Sequence, residues 1–201
     1  VSPMDTEISN QIRSVVDVRK IDHASEVEVI SEVITKSYVD TITQLIASGP
    51  TTTAQRQQIK SVYTAMHGVG WQTLKQVFLA AGFAEPVTVS QQRDPDPAFP
   101  TVKFPNPEES GALDLSIALA IESRADVLIA NDPDADRLAI ALPTIDNNWI
   151  SLRGDQIGCL LAWWIIERSC DIERSGTFAN SIVSSMLLEQ IAKHGGLNYE
   201  A

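Results

Sequence analysis

An unbroken apolar run, Val127-Leu128-Ile129-Ala130, is followed at once by a polar loop, Asn131 to Arg137, that carries aspartates at alternate positions 132, 134 and 136. A short apolar run bounded by polar residues is the pattern of a buried strand. Its neighbours alternate in type. Val29 to Ile46 places Ile30, Val33, Ile34, Tyr38, Ile42, Leu45 and Ile46 at three- and four-residue spacing, one face of a helix that Gly49-Pro50 stops. Ile59 to Met66 favours a strand, His67 to Gly70 a turn, and Gln72 to Ala81 a helix ending at Gly82. Val87 to Val89 reads as a further strand.

Asp94 to Pro107 holds prolines at 95, 97, 100, 105 and 107 and excludes a regular element, because each ring removes a backbone donor and restrains its neighbour. The stretch is an ordered crossing loop or a linker. Asn106-Pro107-Glu108-Glu109 has the form of a helix start, with Asn106 as N-cap, and the helix is expected to run to about Ser123. Beyond the acidic loop, Leu138 to Leu142 is a strand, Asp146 to Asn148 a turn, and Trp149 to Leu152 a strand able to pair back as a hairpin. Asp155 to Arg168 is an apolar helix, Thr177 to Val183 a strand, and Met186 to His194 a helix closed by Gly195-Gly196. Strands alternating with helices predict an α/β fold, a mixed sheet layered with helices.

With 201 residues and 44% hydrophobic content, the chain can bury one good core or two smaller ones. A net charge of −11 and the lack of a basic run leave no electrostatic footprint for nucleic acid, and anionic membranes are disfavoured for the same reason. The longest apolar run, Ile157 to Ile166, is far shorter than a membrane span. Only Cys159 and Cys170 occur, and Cys159 sits within an apolar helical pattern as a buried free thiol would; a reducing cytoplasmic location is expected.

The acidic loop carries the chemistry. Alternate residues of an extended segment point the same way, so Asp132, Asp134 and Asp136 would repel one another unless a hard cation neutralised them. That pattern suits an oxygen-ligand Mg²⁺ site, with Arg137 beside it to hold an anionic substrate through its planar fork. The plain alternative is a solvated acidic turn without a ligand. A calcium EF-hand is excluded, since Arg137 stands where its glycine is needed and Pro143 where its glutamate is needed. Asp132-Pro133-Asp134 also has the spacing of phosphatases with an Asp nucleophile, although the small hydroxyl residue that usually follows is replaced by Asp136-Arg137. Lesser candidates read as structural. His67 is a turn histidine, Gly68-Val69-Gly70 a weak phosphate cradle, and Arg93 and Lys103 solvated charges. At least one of Trp163 and Trp164 is expected in a core or interface.

Asp132-Pro-Asp-Ala-Asp-Arg137 resembles the metal loop of the α-D-phosphohexomutase superfamily, the phosphoglucomutases and phosphomannomutases. Tyr63-Thr-Ala-Met-His-Gly-Val-Gly70 is similar to the opening of that family's second domain, and Arg153-Gly-Asp-Gln156 to the start of its third. The Pro-rich segment from Asp94 to Glu109 resembles the branch handling glucose, mannose or pentose phosphates. The resemblance covers nearly all of residues 31 to 201.

It implies repeated α/β domains of the phosphohexomutase type: residues 1–30 a connecting segment, 31–148 the second domain with the metal loop, and 149–201 part of the third. The implied reaction moves phosphate between the 1- and 6-positions of a hexose through a phosphoserine and a bisphosphate intermediate, with hexose or pentose monophosphates and bisphosphates as partners. Carried over residue by residue, Asp132, Asp134 and Asp136 hold Mg²⁺ and Arg137 contacts substrate or phosphate. As an exposed loop charge, Arg137 is expected to matter more to phosphoryl transfer than to stability.

The family's Thr-x-Ser-His-Asn-Pro phosphoserine loop, its Gly-Glu-x-Ser-Gly sugar loop and its C-terminal phosphate loop are absent; Glu108-Glu109-Ser110-Gly111 imitates the second but precedes the metal loop. No catalytic serine is therefore assigned. The chain is expected to be a fragment that lacks domains 1 and 4 of its parent and is inactive alone. The alternatives are a metal-dependent phosphatase with Asp132 as nucleophile, or a non-catalytic module that binds sugar phosphate or metal.

Overall fold

The computed structural model describes residues 2–23, 25–47, 49–146, 148–168 and 176–201. The chain divides into two compact units, Val1–Ile34 and Thr35–Ala201.

In the first unit, α1 (Met4–Ser14) is a helix that the sequence analysis left unassigned. Met4, Ile8 and Ile12 recur every four residues and share a face, yet no residue of α1 is buried. Asp5 and Glu7 sit in its first turn and Arg13 in its last, the favourable arrangement for the helix dipole.

Nearly all of α2 (Glu32–Ala47) belongs to the second unit. On the periodic face, Val33, Ile34, Tyr38 and Leu45 are exposed and Ile42 and Ile46 are half-buried, while Val39 is buried. Periodicity shows which residues can share a partner, not that the partner is present. A short helix α3 (Thr53–Gln58), unforeseen in the sequence, begins at a reciprocal capping box between Thr52 and Gln55.

The central layer is a five-stranded mixed sheet in the order β2-β1-β3-β4-β5. Its strands are β1 (Ser61–Thr64), β2 (Val87–Thr88), β3 (Val127–Asn131), β4 (Leu138–Pro143) and β5 (Trp149–Leu152). β1 lies parallel to β2 and β3, whereas β3, β4 and β5 are successively antiparallel. The parallel crossovers are made by α4 (Gly70–Ala80) and α5 (Asp114–Ser123). Every residue of β1 is buried, and Leu128 and Ala130 of β3 are fully so. With Val62, Leu113, Ala120, Ala125, Ala139 and Ala141 they form the main core. The expected hairpin β4–β5 is present, with Thr144 N–H donating to the Asn148 carbonyl at 2.7 Å; Asn147 of the predicted turn lies outside the described residues.

The expected start of a helix at Asn106 is corrected. Asn106 Oδ1 accepts from Glu108 N–H at 3.1 Å in a local turn, and α5 begins only at Asp114. Gly111, at φ +81°, interrupts any helix between them. Gly82, at φ +80°, ends α4 where the sequence placed the stop.

A smaller layer follows. α6 (Gly154–Arg168) and α7 (Leu187–Gly195) pack against a parallel pair, β6 (Thr177–Ala179) and β7 (Asn198–Glu200). The β6 strand stops at Ala179 instead of continuing to Val183. Its core is Cys159, Ala162, Ile166 and Ile191. Cys159 is a buried free thiol whose pKa burial pushes up; Cys170 lies outside the described residues. Trp163 is partly exposed and stacks on His194, ring centroids 5.1 Å apart. Among the described residues no helix is long and apolar enough to cross a membrane.

Candidate metal centre

The acidic loop leaves the C-terminal end of β3, the central strand, and returns as β4, so it sits at the end of the sheet beside the N-terminus of α4. Its first aspartate is anchored by the loop itself. Asp132 is 1% exposed, and its two carboxylate oxygens accept from Arg137: Oδ1 from the backbone N–H at 2.9 Å, Oδ2 from Nε at 2.7 Å. Ala135 N–H donates to the Asp132 carbonyl at 3.0 Å, with Ala135 itself in the left-handed region at φ +61°. That turn brings Asp134 and Asp136 back toward Asp132. One carboxylate oxygen from each of the three lies within 4.8 Å of the others, a spacing at which a single hard cation can meet all of them. Asp132 is buried, and Asp134 and Asp136 are open to solvent.

The electrostatics agree with the geometry. Burial alone raises the Asp132 carboxyl, but the Arg137 amide and guanidinium outweigh it and hold the group below its ordinary value. Asp136 is shifted the other way: the negative charges of Asp134 and then Asp132 raise its pKa. Arg137, bound to Asp132, is held more firmly protonated. Its Nε also lies 3.8 Å from Asp136 Oδ1. Negative charge in the loop thus exceeds what Arg137 neutralises, and the donor set is all oxygen, which fits Mg²⁺.

Arg137 is half-exposed, and among the described residues its terminal guanidinium nitrogens donate no hydrogen bond. The expectation that Arg137 matters little to stability needs revision, because its partner Asp132 is buried and would be left with an unpaired charge.

The turn histidine and glycine beside the loop make close contacts within the fold. His67 is 3% exposed; its Nε2 lies 2.8 Å from Thr101 Oγ1, its N–H donates to the Gln92 carbonyl and its carbonyl accepts from Asp96 N–H. The Pro-rich segment is therefore an ordered loop, pinned to the turn after β1. Gln92 completes the pinning, donating to Thr101 Oγ1 and accepting from Thr64 Oγ1. Gly68 is required by closeness: a Cβ there would overlap the backbone of Pro133, while Val69 N–H donates to the Pro133 carbonyl at 2.9 Å. The turn after β1 and the acidic loop are thus packed backbone to backbone. Arg93 pairs with Asp94 at the surface, and Lys103 is exposed.

In open α/β sheets ligand sites lie at the C-terminal ends of the strands, which is where this carboxylate cluster stands. Comparison with known proteins narrows this. The family model described as phosphoglucomutase/phosphomannomutase, alpha/beta/alpha domain II, matches residues 36–145. The chain belongs to the phosphoglucomutase/phosphomannomutase family. It is 43% identical over 195 residues to a probable phosphomannomutase of Haemophilus influenzae, a match covering 96% of this chain and 39% of that protein. It is 42% identical over 156 residues to the phosphopentomutase of Mus musculus, covering 74% of this chain and 25% of that one. In fold it resembles a phosphoglucomutase/phosphomannomutase family protein from Burkholderia thailandensis, with TM-score 0.67 and 22% identity over 96% of this chain and 38% of that chain. It also resembles an N-acetylphosphoglucosamine mutase of Aspergillus fumigatus, in complex with GlcNAc-6P and magnesium, with TM-score 0.53 and 17% identity over 82% of this chain and 34% of that chain. The chain thus spans about 39% of the Haemophilus relative's length.

Proposed function

We propose that this chain supplies the cation-holding loop of a phosphosugar mutase, with Asp132, Asp134 and Asp136 as the ligands of Mg²⁺ and Arg137 as a contact for the substrate's phosphate. The convergence of the three carboxylates within 4.8 Å carries the reading. When bound, Mg²⁺ would neutralise phosphoryl oxygens during transfer. The chain's own residues do the rest. Asp132 fixes the base of the loop, Asp134 and Asp136 present oxygens to solvent, and the Arg137 terminal nitrogens offer a fork for an anionic oxygen. Residues 31–148 then correspond to the second domain of such an enzyme, 149–201 to part of the third and 1–30 to a connection between domains. The substrates are hexose or pentose monophosphates and bisphosphates, the reaction an isomerisation by phosphoryl transfer in the full-length parent, and the location cytoplasmic. The phosphoserine and sugar loops missing from this sequence are supplied by other parts of that parent.

The phosphatase reading is not favoured: the matching family model is that of phosphoglucomutase/phosphomannomutase, and the relatives at 42–43% identity are a probable phosphomannomutase and a phosphopentomutase.

The test is a Mg²⁺ titration of the chain and its Asp134→Asn variant, alongside turnover assays with mannose 1-phosphate and an aryl phosphate. Saturable Mg²⁺ binding that Asp134→Asn weakens, with no turnover of either substrate, is expected. Aryl phosphatase activity lost in Asp132→Asn would overturn the reading in favour of a phosphatase, robust mutase turnover would overturn the fragment assignment, and failure to bind Mg²⁺ would remove the ligand set.

A further inference from the structure

Under the acidic loop lies a second set of polar contacts in which none of its carboxylates takes part. Asn131, the last residue of β3, donates from Nδ2 to the carbonyl oxygen of Arg137 at 2.7 Å, tying the loop's first residue to its last. Its Oδ1 accepts from the Tyr63 hydroxyl at 3.1 Å. This orientation of the amide satisfies both neighbours, because a carbonyl can only accept and the hydroxyl is then free to donate. Flipping the amide would set oxygen against oxygen at Arg137.

Tyr63 is itself fixed. It is fully buried on β1, its ring stacks on Trp71 with centroids 6.0 Å apart, and burial pushes its phenol up to about 12, so it remains a donor at any ordinary pH. The third side is closed by the start of α4. A Cβ on Gly70 would strike the Tyr63 hydroxyl and would lie 3.8 Å from Asn131 Oδ1, so the backbone approach that holds the phenol in place depends on glycine.

We propose that Asn131, backed by Tyr63, is a positioning residue for the cation loop: it fixes the distance between residues 131 and 137 and so makes the three carboxylates converge. The argument follows the peptide units. Arg137 is held on its N–H by Asp132 and on its carbonyl by Asn131, so both sides of that residue are pinned while only Asp134 and Asp136 remain open. Without the Asn131 tie, the mutual repulsion of the three clustered carboxylates is free to spread the loop. Residues that orient metal ligands without touching the metal commonly change affinity by about 10- to 100-fold when altered. The inference rests on the loop being a cation site, and its test separates the two.

The experiment compares the wild-type chain with Asn131→Ala, Asn131→Asp and Tyr63→Phe, reading amide hydrogen exchange at Ala135 and Arg137, whose N–H groups are hydrogen-bonded within the loop, and Mn²⁺ affinity from the free-ion EPR signal. Asn131→Asp keeps the acceptor for Tyr63 and turns a carboxylate oxygen toward the Arg137 carbonyl. Both Asn131 variants are expected to exchange roughly 10-fold faster or more at these two amides, with β1 and β3 amides unchanged, and to bind Mn²⁺ about 10- to 100-fold more weakly. Tyr63→Phe, which deletes one oxygen, should fall between them and wild type, and it carries the test if an Asn131 variant fails to fold. Exchange at Ala135 and Arg137 that stays at the wild-type rate in the folded variants overturns the proposal. Faster exchange in a protein whose wild-type form binds no Mn²⁺ upholds the clamp and removes the cation reading instead.

Discussion

Arg137 folds back onto Asp132, donating to one carboxylate oxygen from its backbone and to the other from its side chain, so a charge 1% exposed at the base of the loop is met by a guanidinium open to solvent. The arrangement makes Arg137 serve two ends. Its Nε is committed to holding the loop, while among the described residues its terminal nitrogens donate no hydrogen bond.

Removing the side chain should therefore cost stability. Arg137→Ala leaves the buried Asp132 charge with only its amide partner, and a destabilisation of about 1–3 kcal/mol is expected in urea unfolding. Arg153→Ala, which breaks an exposed pair with Asp155, should cost under about 1 kcal/mol. Equal effects from the two variants would contradict the role given to Asp132 burial.

The same pair sets a pH signature. Asp132 is held below its ordinary value, so its contribution to stability is fully present above the unfolded carboxylate pKa and is lost as pH falls through the lower, folded value. The stability gap between wild type and Asp132→Asn should be constant at neutral pH and close on acidification, as measured by thermal unfolding across a pH series. A gap that widened toward acid would reverse the assigned direction.

Cation binding should show the opposite shift. Because Asp134 and Asp132 raise the Asp136 pKa, Asp136 takes up a proton at higher pH than an ordinary aspartate. Mg²⁺ or Mn²⁺ affinity, followed by calorimetry, is expected to begin weakening above the usual carboxylate range as pH is lowered. Asp136→Asn should flatten that dependence while lowering affinity at neutral pH.

Gly68 provides a steric test. A Cβ at this position would overlap the Pro133 backbone, so Gly68→Ala should destabilise by about 1–3 kcal/mol and displace the acidic loop. A crystal structure or amide chemical shifts of residues 132–137 would show the displacement; unaltered shifts with full stability would mean that the two loops are less tightly apposed.

The small second layer carries an apolar surface. Leu160, Leu161, Trp163 and Ile165 of α6 are exposed, and a groove of about 370 Å³ runs beside them, lined by Leu161, Ile165, Phe178 and Leu188. Concentration-dependent association is expected in light scattering, and Leu161→Lys should reduce it. A monomer at high concentration would show that this face is not adhesive.

Much of this was legible in the chain because the signals are local. The apolar run 127–130 and the glycine at 82 each state a backbone preference that the fold keeps, whereas the alternating aspartates converge through a turn at Ala135 and not along the extended segment expected. Other features were read wrongly or not at all. The helix expected from Asn106 fails because Gly111 adopts positive φ, a choice made by how the loop meets α5. The apolar face of α2 shows in the sequence, but not that Ile42 and Ile46 on it are half-buried while Val33, Ile34, Tyr38 and Leu45 stay exposed. α1 and the capping box of α3 went unread although both carry local signals, acids and a base at the ends of one and Thr52 with Gln55 in the other.

What the sequence determined by itself is the order of most of the elements and the three aspartates that the fold gathers, since periodicity and side-chain chemistry are properties of neighbouring residues. Only the tertiary structure decided that Arg137 grips Asp132, that Gly68 must admit Pro133, and that Asn131 reaches both Arg137 and the Tyr63 phenol 68 residues away. Those contacts join β1, the turn before α4 and the loop after β3, segments brought together by strand pairing in the sheet. Hydrogen bonds and close contacts act over a few ångströms in space, and separation along the chain carries no record of which distant groups the fold will place there.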